Sequence, residues 1–432
     1  MSEDKFDAII VGGGLAGSAA AYTLARAGLN TVLVERGQTC GSKNVSGGRL
    51  YAHSMEKLIP GFADEAPVER LISKERIMLM TGSGATNIEY GDDKLKDKAS
   101  ASYSVLRAKF DPWLAGKAEA AGAMYITGIR VDKLLQKNGR VCGVIAGEDV
   151  IEADAVILAD GVNSLLAQKV GMKKELAPHQ VAVGVKEVIQ LDESTVTERF
   201  GLSGADEGVA CLAAGSVTGG AVGGGFLYTN KDSVSIGTVI TLGHIGKGEA
   251  VKVPDMIERF KANSQIAPLI RGGETVEYAA HLVPEGGYSM ISELFWNGVL
   301  VAGDAAGFVI NMGYTFRGMD FAIESGRLAA MAVIKAKERG DFSAEGLSYY
   351  QTLLEQSFVL RDLRHYRNMP ALMDNRQIYG ELPGVMDEIL SSMFIVDGGV
   401  PKKITRSALD AIGGTGDIYN LIKLGARALT TL

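Results

Sequence analysis

Cysteine is nearly absent from this chain. There are three in 432 residues, Cys40, Cys142 and Cys211, far apart and with no Cys-x-x-Cys spacing. That excludes a four-cysteine iron–sulfur cluster within the chain and argues against a zinc site. A sparse, odd count fits a reducing compartment, with each thiol packed as a small buried hydrophobe. Long apolar runs are also missing. No stretch approaches the roughly 18 uncharged apolar residues of a spanning helix. A strand beginning at Phe6 leaves no room for a leader, so a cytoplasmic location is expected, with a peripheral contact on the inner face of the cell membrane left open. The five histidines (His53, His179, His244, His281, His365) lie apart and are expected as surface or capping groups. No Ser-His-Asp, Cys-His or paired-carboxylate arrangement stands out. Positive charge is in deficit, 44 Lys and Arg against 51 Asp and Glu, which argues against wholesale nucleic-acid binding.

Glycine, in contrast, is abundant: 55 residues scattered into turns rather than a repeat. The first cluster is the most informative. Residues 6–17 read FDAIIVGGGLAG, and a second strand, TVLVE, ends at Glu35. Ala8–Val11 has the length and Ile/Val content of a buried parallel strand. Gly12 serves a tight turn, Gly14 lets the backbone approach a pyrophosphate, and Gly17 lets the next helix pack on the strand. Leu15 and Ala16 open that helix, whose N-terminal N–H groups and dipole favour phosphate; Gly28 is placed to stop it. Glu35, followed by Arg36, can accept hydrogen bonds from both ribose hydroxyls. The complete strand–turn–helix–strand–Glu set predicts a bound dinucleotide.

Further along, residues 37–60 read as a Gly/Ser-rich loop leading into a short helix, and GDDKLKDK as a solvated loop. Asp111 as N-cap with Pro112 at the first position predicts a helix from there to Gly122. Residues 124–161 read as a three-stranded antiparallel meander followed by a buried strand, with Asn138-Gly139 as a hairpin turn. From about 180 to 295 strands dominate, among them a hairpin of GGGFLYTN and SVSIGTVITL, with one helix over PDMIERFKANS. NGVLVAGDAAG returns to strand–turn–helix, a long helix follows, and beyond 340 the chain reads as helical. The expected organisation is α/β: a discontinuous dinucleotide domain (1–72, 100–180, 295–340), an inserted mainly antiparallel β domain (73–99, 181–294) and a helical C-terminal region (341–432).

Two segments complete a pattern. ILADGVNS ends a strand in Asp160-Gly161, and VLVAGDAAG ends one in Gly303-Asp304 before a helix. An Asp at such a place can accept a ribitol or ribose hydroxyl, and small residues after it let amides face a pyrophosphate or flavin carbonyl. The order GxGxxG…Glu, Asp-Gly, Gly-Asp resembles the glutathione-reductase-like FAD superfamily in its hydroxylase-type branch. The resemblance implies an FAD-binding Rossmann domain and FAD rather than NAD. It implies that Arg107 lies along the FAD phosphate edge, a surface salt bridge being the plain alternative, and that the Val131 backbone contacts adenine.

GGGFLYTN, IAPLIRGGETVEYAAHLVPEGGY and LVAGDAAGFVINMGYTFRGMDFAIESGRLAA resemble electron-transfer flavoprotein:quinone oxidoreductases of the short FixC type, as do KNVSGGRLYAHSMEKLIPGF and APVER. The resemblance implies an FAD-dependent oxidoreductase with an electron-transfer flavoprotein (alpha and beta subunits) as donor and a quinone as acceptor. The ferredoxin-like segment of the long members is missing, which implies a separate ferredoxin-like [4Fe–4S] protein. By position, Gly223 and Gly224 match a Gly-Gly at the quinone head group, a β-bulge being the alternative. Ser46, Gly47, Gly48 and Arg49 match a loop beside the flavin ring. The run Asn311–Arg317 departs from the long members, leaving the quinone open; Arg317 either faces the flavin or pairs with a carboxylate such as Asp320.

Near the C-terminus, Arg361, Arg364, His365 and Arg367 cluster, and Lys402, Lys403 and Arg406 follow. The tail DIYNLIKLGARALTTL has the spacing of a basic amphipathic helix, suited to an anionic membrane, an acidic ferredoxin or ordinary core packing. Flavin-mediated electron transfer needs no positioned general base, so neither a catalytic side chain nor a metal is expected. A flavin monooxygenase, a geranylgeranyl-reductase-like lipid reductase and a non-enzymatic flavoprotein scaffold stand as alternatives.

Overall fold

A computed structural model describes residues 5–42, 48–246, 252–400, 402–414, 424 and 431. Its first sheet is built on the apolar runs at the N-terminus. Phe6–Val11 lies between Asp149–Leu158 and Thr31–Val34, with Val299–Val301 and Met124–Ile126 flanking them, all parallel. Ala8–Val11, Thr31–Val34 and Val299–Val301 are buried on both faces, which is why they read as continuous apolar runs rather than alternating. The helices Leu15–Arg26 and Met319–Arg339 cross on this sheet. Their approach is close: a Cβ on Gly326 would stand 2.0 Å from the Ala16 carbonyl oxygen.

The second sheet has nine strands, mostly antiparallel. Its main path runs Glu274–Pro284, Val181–Gln190, Ser233–Thr241, Gly223–Thr229, Glu207–Gly215, Val68–Met80, Ser102–Val105 and Arg49–Tyr51. Helix Val253–Ala262 covers part of it, burying Met256, Ile257 and Phe260. Burial of each such side chain contributes about 1.5–3 kcal/mol. Beyond residue 340 all described elements are helices.

The hairpins form as expected. Asn138 and Gly139 both have positive φ (51° and 73°), the turn that matches strand twist. Gly223–Thr229 pairs with Ser233–Thr241 without a register slip, so no β-bulge occurs there. Two local expectations are corrected. The helix expected from Asp111 starts at Arg107 and carries Pro112 inside it. The Asp111 carboxylate accepts from the Arg107 guanidinium one turn back, so it bonds along the helix side and does not cap its start. Met124–Ile126 is no part of the meander. It joins Thr31–Val34 in parallel, and the meander is Lys133–Lys137, Arg140–Ala146 and Asp149–Leu158, whose last strand itself runs inward as the buried strand. The expected basic tail helix lies outside the described residues, apart from Leu424 and Thr431.

Candidate cofactor and active-site cavity

A cavity of about 890 Å³ opens at the carboxyl ends of the parallel strands and extends across to the second sheet. That volume is at the upper end of the range for small-molecule sites, and crevices at strand ends are where open α/β sheets bind ligands. Gly12, Gly14, Leu15, Ala16, Glu35, Arg36, Arg107, Val131, Asp160, Gly161 and Asp304 line it from the first sheet; Gly48, Arg49, Gly223 and Gly224 face it from the second. Residues from eight separate stretches of chain thus meet at one cavity. Gly17 and Gly303 stand behind the lining. A Cβ on Gly17 would meet the Gly12 carbonyl oxygen at 1.9 Å, and one on Gly303 would meet the Ala16 side chain at 2.9 Å. Both hold the neighbouring helix close. Ser46 and Gly47 lie outside the described residues.

Arg317 resolves differently from the flavin-side expectation. It does not line the cavity; its guanidinium donates to Asp320 at 2.6 and 2.9 Å and to Asp362 at 2.6 Å. Asp320 is fully buried and also meets His53 at 3.2 Å. A cation held by two carboxylates is neutralised locally and is drawn to them.

At the nucleotide end, Gly12 has φ +104°, and a Cβ there would stand 2.3 Å from the Ala159 carbonyl oxygen. The Glu35 carboxylate accepts from the N–H groups of Gly13 (2.8 Å) and Gly37 (2.5 Å), which fixes it at the strand end. The Cys40 thiol is buried against this turn and accepts from the Tyr125 hydroxyl at 2.9 Å; burial pushes its pKa up to about 12, so it is an inert hydrophobe. Arg107 is buried and donates twice to Asp111, at 2.6 and 2.7 Å. Burial opposes its charge, but Asp111, with Asp304 adding, holds its pKa above the ordinary value. The bridge is therefore a buried one.

Asp160 and Asp304 are both pushed up by burial, with Lys173 opposing the effect at each. Lys173 was not singled out from the sequence. Its buried ammonium donates to the carbonyls of Val162 (2.7 Å) and Ala305 (3.0 Å), tying together the loops that follow the two aspartates. Burial pulls its pKa down to about 8 against the pull of both carboxylates. No local pattern marks such a residue, because one of the two loops it ties together, at Ala305, lies 132 residues away in sequence.

Across the cavity, Arg49 forms a bidentate ion pair with Glu75 and stacks over the Tyr51 ring at 4.4 Å, so its charge is already matched. A Cβ on Gly224 would stand 2.6 Å from the Ala213 carbonyl oxygen. His281, Val283 and Glu285, alternate residues on one strand and its end, also line the cavity. Burial, then Arg107 and Arg36, lower the His281 pKa and keep the ring neutral. Burial raises the Glu285 carboxyl to about 7, against a hydrogen bond from Asn311 Nδ2 at 3.2 Å. This end of the cavity is closed by Met369, Leu372, Met373, Ile378 and Leu382 from the C-terminal helices.

An FAD binding domain model matches residues 5–207, and an ETF-QO/FixC family C-terminal domain model matches residues 369–432. The chain is 49% identical, over all of both chains, to the "Probable electron transfer flavoprotein-quinone oxidoreductase YdiS" of Escherichia coli K12. It is 51% identical, again over all of both chains, to "Protein FixC" of Salmonella typhi. Among solved structures, a geranylgeranyl bacteriochlorophyll reductase-like protein from Thermoplasma acidophilum superposes with TM-score 0.73 at 22% identity, covering 98% of this chain and 99% of that one, a likeness of fold. A buried cradle for a dinucleotide, an α/β fold with a second β layer, and near-50% identity over the full length agree: the chain is an FAD-dependent oxidoreductase and belongs to the ETF-QO/FixC family.

Proposed function

We propose that this chain accepts electrons from an electron-transfer flavoprotein and passes them to a quinone, working with a separate ferredoxin-like [4Fe–4S] protein. The observation that carries the reading is the apolar end of the cavity, lined by Met369, Leu372, Met373, Ile378 and Leu382, which suits a lipid-soluble acceptor better than a polar one. The name of the Escherichia coli relative supports both donor and acceptor. The chain's three cysteines cannot hold a four-cysteine cluster, which favours a separate iron–sulfur protein.

When bound, FAD supplies the redox chemistry. The residues present fit it. The free amides at the start of Leu15–Arg26 would meet the pyrophosphate, with Gly14 permitting the approach. Glu35 would accept from the adenosine ribose, Val131 would pack at the adenine, and Asp160 and Asp304 would accept hydroxyls of the ribitol side. Arg107 and Lys173 would balance the anionic groups from beneath. Gly48 and Arg49 would border the ring on the far side, and Gly223 or Gly224 would offer a backbone N–H to a quinone carbonyl. In this reading, residues 1–72, 100–180 and 295–340 hold the cofactor, 73–99 and 181–294 wall the acceptor site, and 341–432 close it.

A membrane contact fits the same acceptor. Phe394, Ile395, Val396 and Val400 are 68–98% exposed, and Lys402, Lys403 and Arg406 follow at once. Apolar tips beside cations favour an anionic lipid surface. No helix among the described residues is long and apolar enough to cross a membrane. The test is optical. Reduced electron-transfer flavoprotein should bleach the bound FAD, and added quinone should restore the absorbance. Failure to bleach, or NADPH oxidation that depends on an aromatic substrate, would overturn the proposal.

A further inference from the structure

We propose that Glu285 is the proton donor to the acceptor that is reduced in the cavity. The inference rests on the quinone reading above and names the group that completes it. Glu285 follows the strand Glu274–Pro284 at its cavity end, and its backbone N–H is fixed by the Gln180 carbonyl at 2.7 Å. His281 and Val283 share its face, so the strand's alternation aims all three side chains inward. Asn311 Nδ2 donates to Oε2 at 3.2 Å, and Glu285 is among the residues that line the cavity.

The surroundings are apolar or neutral. Met373 and Ile378 close the cavity from the C-terminal helices, and Tyr379 lies near enough for Glu285 to raise its phenol further above the value burial alone would give. His281, the other ionisable group on the strand face, is kept neutral by burial first and then by Arg107 and Arg36 from the nucleotide end. Among the described residues no cation is set against the Glu285 carboxyl to keep it ionised, and burial leaves it able to hold or release a proton near pH 7. That is the condition for an efficient general acid at neutral pH. Of the phenols that line the cavity among the described residues, that of Tyr379 is held far too high to give up a proton there, and burial pushes that of Tyr314 up to about 12.

Reduction of a quinone to a quinol takes two electrons and two protons. The redox activity of the chain supplies the electrons. One proton passes from the Glu285 carboxyl to a quinone carbonyl oxygen, breaking the carboxyl O–H and forming the quinol O–H; solvent supplies the other. The carboxylate left behind takes a proton from water entering the cavity, which restores the acid.

The test compares wild type, E285Q and E285D, all FAD-loaded, in quinol formation driven by reduced electron-transfer flavoprotein, and in infrared titration of the protonated-carboxyl C=O band. Glutamine keeps the shape and can still meet Asn311. The wild-type rate should fall as pH rises through about 7. E285Q should be slower by roughly 10²-fold and flat with pH, while E285D should keep the pH break. A carboxyl band titrating near neutral pH should be present in wild type and lost in E285Q. An unchanged rate and pH profile in E285Q, or no such band, overturns the proton role while leaving the quinone reading intact. If wild type forms no quinol, the acceptor reading fails, and the infrared titration alone then decides whether Glu285 exchanges protons.

Discussion

Replacing Lys173 by methionine should change how stability depends on pH more than stability itself. In the wild type the ammonium is buried beneath Asp160 and Asp304, and its pKa falls from 10.5 to about 8. That gap corresponds to about 3 kcal/mol spent on keeping the charge buried at neutral pH. Methionine relieves this burden but leaves the carbonyls of Val162 and Ala305 without their donor, at about 1–3 kcal/mol each. The two effects nearly offset, so K173M should lose no more than about 3 kcal/mol at pH 7. The sign of the pH effect follows from linkage. Between about pH 8 and 10.5 the unfolded chain binds a proton that the native lysine has released, so wild-type stability rises with pH in that window. The variant has no such proton. The difference in unfolding free energy between the two should therefore widen by about 2 kcal/mol from pH 8 to pH 10. Paired urea unfolding of flavin-stripped protein at the two pH values measures it, because other titrating groups cancel in the difference. A difference that stays constant would show that the lysine is not held as described. FAD affinity should fall in K173M as well, since the loops carrying Asp160 and Asp304 lose their tie.

Three other substitutions separate cradle from scaffold. Gly14→Val should abolish FAD retention, because a branched side chain would stand in the pyrophosphate path; a preparation with its full visible flavin band would refute this. Glu35→Ala removes the acceptor of the Gly13 and Gly37 N–H groups and the proposed ribose contact, and should weaken FAD by about 1–3 kcal/mol without unfolding the protein, as read by flavin loss on dialysis. Arg317→Met should do the reverse. It leaves the fully buried Asp320 short of its cation, at about 3–5 kcal/mol of stability, yet should leave the flavin spectrum unchanged. A shifted spectrum with normal stability would put Arg317 back at the flavin.

What the sequence made legible is what neighbours in the chain decide. The turn Gly12–Gly17, the strand ending at Glu35 and the Asn138-Gly139 hairpin each follow from backbone requirements within a few residues, and each forms where expected. Asp160 and Asp304, which line the cavity, are legible in the same way, each from its own strand end. Position relative to distant chain is a different matter. Arg317 carried two readings because its charge could be satisfied by flavin or by carboxylate; the choice fell to Asp320 and Asp362, and Asp362 comes from a helix 45 residues on. Asp111 looked like a cap because Asp-Pro is a helix-start signal, but the cation at Arg107 claims its carboxylate first.

Lys173 and Glu285 left no local trace at all. Of the partners of Lys173, Val162 lies 11 residues back but Ala305 lies 132 residues on, and those of Glu285 are a cavity wall assembled from a strand end, an asparagine beyond the Gly303 turn and the C-terminal helices. A lysine or glutamate between polar neighbours reads as solvated, and only the packing of distant loops and helices around it strips its water. The half of the site that binds a common group, a dinucleotide, is thus written in short motifs that many folds can share. The half where we place the acceptor is made by long-range packing, and there single residues acquire chemistry from burial that their sequence context does not announce. If that division holds, exchanging Met373 or Ile378 for a polar residue should change acceptor preference and leave FAD retention alone, whereas no change in the GxGxxG turn should alter preference without first costing the flavin.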